Sequence, residues 1–132
     1  MSQKKKILLV DDDEDILQQL TVTLKDEGYE LLTAQGQQEA EETLLSVKPD
    51  LAILDLMMEE KDSGFVLCHE IKRMYPDTPV IILTAVTAAT GLSFAARSEE
   101  ERSWVKADLL MDKPVSPEQL RNQVKHLLSL KG

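Results

Sequence analysis

Four short stretches of uninterrupted apolar residues divide the chain: Ile7-Leu8-Leu9-Val10, Leu51-Ala52-Ile53-Leu54, Val80-Ile81-Ile82-Leu83 and Leu109-Leu110-Met111. None exceeds four residues and none alternates with polar positions, the pattern of strands covered by helices on both faces of a sheet. A fifth stretch, Glu30-Leu31-Leu32-Thr33, has polar ends that suit an edge strand. Between the strands, apolar residues recur at helical spacing. Ile16, Leu20 and Leu24 follow an acidic first turn of Asp13, Glu14 and Asp15, and Gly28 is placed to end that helix. Ala40, Leu44 and Val47 form a second stripe, stopped by Pro49. Phe65, Cys68, Ile71 and Tyr75 form a third, closed by Pro76 and Pro79. Leu120, Val124, Leu127 and Leu128 form the last, with Ser116 as N-cap and Pro117 at the first helical position.

Regular alternation of strand and helix predicts an α/β fold with a parallel, doubly wound sheet. The flavodoxin-like (βα)5 arrangement, strand order 2-1-3-4-5, puts the polar-ended strand at an edge. The stretch from Ala85 to Asp108 is the least regular. Its small residues up to Gly91 read as a loop, and Ser98-Glu99-Glu100-Glu101 is a capping box that predicts a helix from about Glu99 to Lys106.

A length of 132 residues suits one domain spanning residues 1–132, with its core over about residues 5–130 and no output domain. The one cysteine excludes an internal disulfide and fits a reducing, cytoplasmic setting. The apolar run behind Lys4-Lys5-Lys6 is too short for a signal peptide or a membrane span. Lys and Arg number 15 and Asp and Glu 24, so the net charge is −9. That balance argues against nucleic acid as a direct partner, since binding phosphates takes a basic face. Taken alone it describes a solvated surface.

Ligands of an open parallel sheet bind beyond the carboxyl ends of the strands, so the residues that follow each apolar run carry the chemistry. After the first run come Asp11, Asp12 and Asp13. After Leu54 comes Asp55, after Leu83 comes Thr84, and after Met111 come Asp112, Lys113 and Pro114. Clustered carboxylates need a proton or a cation between them. Mg²⁺ takes oxygen ligands and suits a site that also holds a phosphoryl group. An aspartate can act as nucleophile toward phosphorus, with a lysine and a hydroxyl stabilising the transferring group. Each residue also has a plainer reading. An aspartate after a strand often caps a helix or makes a turn, and Asp13 and Asp15 read as helix-start acids. Thr84 and Lys113, each alone, are an ordinary loop threonine and a solvated lysine. The ordered set is what carries weight.

Over nearly its whole length the chain resembles the receiver domain of bacterial response regulators. The resemblance rests on Leu8-Leu9-Val10-Asp11-Asp12, Ile53-Leu54-Asp55 with Gly64 after it, Leu83-Thr84-Ala85, and Lys113-Pro114. It implies that Asp55 accepts a phosphoryl group from a phosphohistidine on a sensor histidine kinase or histidine phosphotransfer protein. It implies Mg²⁺ bound by Asp12, Asp55 and the backbone carbonyl of Met57, with Asp11 supporting the ion. Lys113 would pair with Asp55 and then with the phosphoryl oxygens. Thr84 would move toward the phosphate, and the small Ala85 leaves it room. The output would pass to a separate protein target or along a phosphorelay, with no direct nucleic-acid or membrane contact.

Three departures stand out. The position three before the lysine, aromatic in most receivers, is Leu110. The loop from Met57 to Gly64 is one residue longer than usual and lacks the common Met-Pro step. The segment from Thr84 to Lys113 is several residues longer, with the excess around Gly91 to Arg97. This extra length reads either as a tolerated surface insertion or as a partner-specific surface. Cys68 reads as a packed thiol. His69 and His126 have no partner at ligand spacing, and Trp104 fits either a partner face or the core. Glu59, Glu60 and Asp62 read as solvated.

Two further functions stay open. A haloacid-dehalogenase-like phosphatase also forms an aspartyl phosphate, but on an aspartate after the first strand, here Asp11. Its motif continues to a Thr or Val that Asp11-Asp12-Asp13-Glu14-Asp15 lacks. A degenerate receiver, acting as a binding module without phosphorylation, is the other, and Leu110 keeps it open.

Overall fold

The structure, a computed structural model, describes residues 4–55, 63–84, 109–112 and 116–131. The side chains of Phe65, Thr84, Leu110 and Asp112 lie outside that description, as do the expected helix over 99–106, the long segment around 91–97, Trp104 and the 56–62 loop. The described elements run β1 (Lys6–Val10), α1 (Glu14–Lys25), β2 (Glu30–Ala34), α2 (Gln37–Ser46), β3 (Leu51–Asp55), α3 (Ser63–Met74), β4 (Val80–Thr84), β5 (Leu109–Asp112) and α4 (Pro117–Lys131). The five strands form one parallel sheet in the order β2-β1-β3-β4-β5, as the apolar pattern predicts.

Alternate residues of each central strand enter opposite halves of the core. Leu8, Val10, Ala52, Leu54, Val80 and Ile82 pack against Ala40 and Leu44 of α2 and Leu67, Cys68 and Ile71 of α3. Ile7, Leu9, Leu51, Ile53, Ile81 and Leu83 pack against Leu17, Leu20 and Leu24 of α1 and Leu120, Val124 and Leu128 of α4. Both sheet faces are covered, which is why these strands need no polar positions. β2 has one neighbour only, and its Glu30 and Thr33 are exposed.

The helix ends follow the local chemistry. Asp13 caps α1 by accepting from the backbone N–H of Asp15 at 2.9 Å. Gly28, three residues past the end of α1, takes φ +82°, where a side chain would be strained. Ser116 Oγ accepts from the Gln119 backbone N–H at 3.4 Å, in the N-cap role expected of it. Two apolar positions read as helical fall outside their helices. Val47 is extended (φ −138°, ψ 133°) because the chain is already turning toward the buried Pro49. Tyr75 follows the end of α3, held by its backbone N–H on the Ile71 carbonyl and its hydroxyl on the Leu44 carbonyl, 2.6 Å away.

The amino ends of the strands are tied by polar contacts that periodicity does not reveal. The Lys6 backbone N–H donates to Asp50 Oδ2 at 2.8 Å. Thr78, fully buried, donates its hydroxyl to the Pro49 carbonyl at 2.9 Å, and Lys72 Nζ donates to the Thr78 carbonyl at 2.8 Å.

Two stability predictions follow from this packing. Ile53→Ala opens a cavity in the sheet centre and should cost about 2–5 kcal/mol in a urea titration. Thr78→Val keeps the volume but leaves the Pro49 carbonyl without its donor, and should cost about 1–3 kcal/mol by the same measurement. A Thr78→Val protein as stable as wild type would mean that water satisfies that carbonyl.

Candidate functional site

β1 and β3 pair in parallel with Val10 opposite Leu54. One residue further along, Asp11 leaves β1 beside Asp55, the last residue of β3. Asp12 follows in the turn into α1. One carboxylate oxygen from each of Asp11, Asp12 and Asp55 lies within 4.8 Å of the other two. Asp11 is 1% exposed and Asp55 7%, while Asp12 is exposed, so the cluster runs from the sheet end out to solvent.

Local hydrogen bonds orient the first carboxylate. Asp11 Oδ1 accepts from the Asp13 backbone N–H at 2.9 Å, an Asx turn, and the Asp11 backbone N–H donates to the Ala34 carbonyl of β2 at 3.2 Å. The Asp13 carboxylate itself caps α1. Sequence reading placed Asp13 among the helix-start acids of the first turn; the structure puts it one position earlier, as the N-cap, and its backbone N–H fixes Asp11. The Asp-x-Asp spacing was the available signal.

β4 carries Thr84 to the same edge, where it pairs in register with Asp112 of β5. Asp55 pairs with Leu83, so Thr84 stands one residue beyond Asp55 on the neighbouring strand. The backbone therefore brings the ends of β1, β3, β4 and β5 to one edge in the expected order. Lys113, Met57 and Ala85 lie outside the described residues. Cys68 is buried in the core beside α2, as a packed thiol should be, and His126 is exposed on α4.

Three like charges at this spacing are costly. At about 4 Å each pair of unit charges repels by roughly 1 kcal/mol in bulk water and about 4 kcal/mol at an effective dielectric near 20. The donor set fits the ion that would offset this. Octahedral Mg²⁺ holds oxygens at about 2.1 Å, so its ligands stand about 3–4.2 Å apart, within small side-chain rotations of the cluster seen here. An all-carboxylate set also matches a hard cation better than a soft one. Among the described residues no helix is long and apolar enough to cross a membrane.

A family model described as the response regulator receiver domain matches residues 7–125. Alkaline phosphatase synthesis transcriptional regulatory protein PhoP of Bacillus subtilis is 34% identical over 94% of this chain and 48% of its own length. Phosphate regulon transcriptional regulatory protein PhoB of Pseudomonas aeruginosa is 35% identical over 97% of this chain and 53% of its own. The chain thus spans about half the length of these curated relatives. Among solved structures, a CheY-like receiver domain protein from Methanospirillum hungatei superimposes with a TM-score of 0.82 at 26% identity, covering 98% of this chain and 97% of that one. The response regulator TrrA of Thermotoga maritima, in complex with Mg²⁺ and BeF, gives a TM-score of 0.75 at 34% identity, covering 93% and 98%. With the fold, the acidic cluster and the family model in agreement over most of its length, the chain belongs to the response regulator receiver domains of two-component systems, a signalling family rather than a classical enzyme family.

Proposed function

We propose that the chain is a phosphoacceptor switch in a two-component system or phosphorelay, with Asp55 as the residue modified. The observation that carries this reading is the meeting of Asp11, Asp12 and Asp55 within 4.8 Å at the carboxyl edge of the sheet. The Mg²⁺ and BeF complex of TrrA, a structural relative, supports it.

In the proposed step, a carboxylate oxygen of Asp55 attacks the phosphorus of a phosphohistidine on a sensor histidine kinase or histidine phosphotransfer protein. An O–P bond forms as the N–P bond breaks, and the imidazole nitrogen leaves with the electron pair of that bond. Asp12, Asp55 and the backbone carbonyl of Met57 would hold Mg²⁺, with Asp11 in support, and the ion would supply positive charge against the phosphoryl oxygens. Lys113 neutralises further charge on the same group. The Thr84 hydroxyl donates to one of its oxygens, and this contact reports the modification to the rest of the domain. Asp55 suits the nucleophile better than Asp11, the choice of the phosphatase reading. Asp11 is the more buried of the two.

The signal then passes as a changed binding surface to a separate protein target. The net charge of −9 disfavours direct contact with nucleic acid. Leu110, in place of the usual aromatic, points to loop movement rather than a rotating ring as the carrier of that change.

Incubation with Mg²⁺ and acetyl phosphate or phosphoramidate, followed by intact-mass measurement, should add one phosphoryl group to wild type and none to Asp55→Asn. A phosphoryl group on Asp11 would favour the phosphatase reading, and no addition to wild type would favour a phosphorylation-independent receiver. Asp12→Asn removes one carboxylate from the cluster and should weaken Mg²⁺ binding about tenfold or more in a calorimetric titration, a loss of about 1.4 kcal/mol at least. Unchanged affinity would place the ion elsewhere.

A further inference from the structure

β2 is the last strand on its side of the sheet, and the hydrogen bonds it makes to β1 show which of its backbone groups face outward. The Glu30 N–H donates to the Lys5 carbonyl at 2.8 Å, and the Asp11 N–H donates to the Ala34 carbonyl at 3.2 Å. In a parallel ladder each residue turns its N–H and C=O to the same side, and the next residue turns both to the other. Glu30, Leu32 and Ala34 therefore face β1, while Leu31 and Thr33 send their donors and acceptors outward. The Gln35 N–H, next on the outer side, is taken by Glu39 Oε2 at 3.2 Å, which ends the open stretch.

A groove of about 550 Å³ runs beside this stretch, between α1 and β2. Thr21 and Val22 of α1 and Thr33 of β2 line it, and Val22 is left 61% exposed. Glu14, at the start of α1, and Glu39, in the first turn of α2, line it too. A second hollow of about 360 Å³ shares Gln35 and Glu39 with the first and continues to Glu42 of α2. All three glutamates are exposed, and among the described residues lining the two hollows none is basic.

We propose that this edge is a docking site for an extended, cationic segment of another protein, which joins the sheet as a further strand beside β2. The outward groups of Leu31 and Thr33 supply the main-chain hydrogen bonds. Side chains of an added strand alternate in direction, so Lys or Arg residues reach Glu14, Glu39 and Glu42 while apolar residues between them cover Val22. Charge decides against a second copy of this chain as the occupant. Two β2 edges placed together bring Glu14, Glu30 and Glu39 of one copy against the same residues of the other, in chains that each carry −9. Charged side chains on an edge strand turn away like strands in this manner, and here they admit a basic one. The site is separate from the cluster of Asp11, Asp12 and Asp55, and it does not rest on the phosphoacceptor reading.

The test titrates the ¹⁵N-labelled protein with an end-blocked peptide of alternating Lys and Val, about six residues long, the length of a typical strand. Amide signals of Leu31, Thr33 and Val22 should shift most. The same peptide with its backbone nitrogens methylated along one edge keeps the charge but loses the strand bonds, and should bind about tenfold more weakly. The double variant Glu14→Gln, Glu39→Gln should weaken the unmethylated peptide by a similar factor, with glutamine at 39 still able to accept from the Gln35 N–H. A peptide of alternating Glu and Val should not bind. Equal affinity for the two Lys-Val peptides on wild type would overturn the proposal, and that comparison does not depend on how the variant folds. Shifts confined to Asp11, Asp12 and Asp55, or no binding at millimolar peptide, would overturn it too. So would β2 shifts that grow with protein concentration alone, which would make a second copy the occupant.

Discussion

Parallel pairing of β1 with β3 forces three carboxylates together, and the rest of the molecule is arranged to tolerate it. The two strands are buried on both faces, and their register leaves no freedom to separate Asp11 from Asp55. Burying a Leu or Ile side chain contributes about 1.5–3 kcal/mol, and these two strands bury eight apolar residues between them. Repulsion at the cluster amounts to a few kcal/mol per pair at most in a partly solvated site. The hydrophobic term wins, so the fold holds the acids in place and leaves their repulsion available for binding a cation. A site built this way binds because the charges cannot move apart.

The two edges of the sheet are built differently. The carboxyl edge holds the acidic cluster, and one Asx turn fixes the orientation of its first acid. The amino edge is closed instead by hydrogen bonds from Thr78 and Lys72 and by the Asp50 carboxylate.

Much of this was legible in the sequence because it depends on local pattern. Unbroken apolar runs announced buried strands, and their lengths matched the observed elements closely. The polar ends of Glu30 to Thr33 announced an edge, and the strand is there. The acids at the strand ends could be named because a parallel sheet sends every carboxyl end the same way. What escaped was set by contacts between distant segments or by the backbone. Val47 fits a helical stripe by spacing, yet the turn toward Pro49 takes it out of the helix. Asp50, Lys72 and Thr78 tie the amino ends of the strands through bonds that no period encodes.

The central claim is that the three acids form one cation site in the folded molecule. Manganese stands in for magnesium with the same oxygen preference and broadens nearby NMR signals through its unpaired electrons. A titration of the ¹⁵N-labelled protein with substoichiometric Mn²⁺ should first erase the amide signals of Asp11, Asp12, Asp13 and Asp55, with β2's Glu30 and the Thr78 turn spared. Early broadening around other acids such as Glu39 and Glu42, or uniform broadening over the surface, would contradict the account.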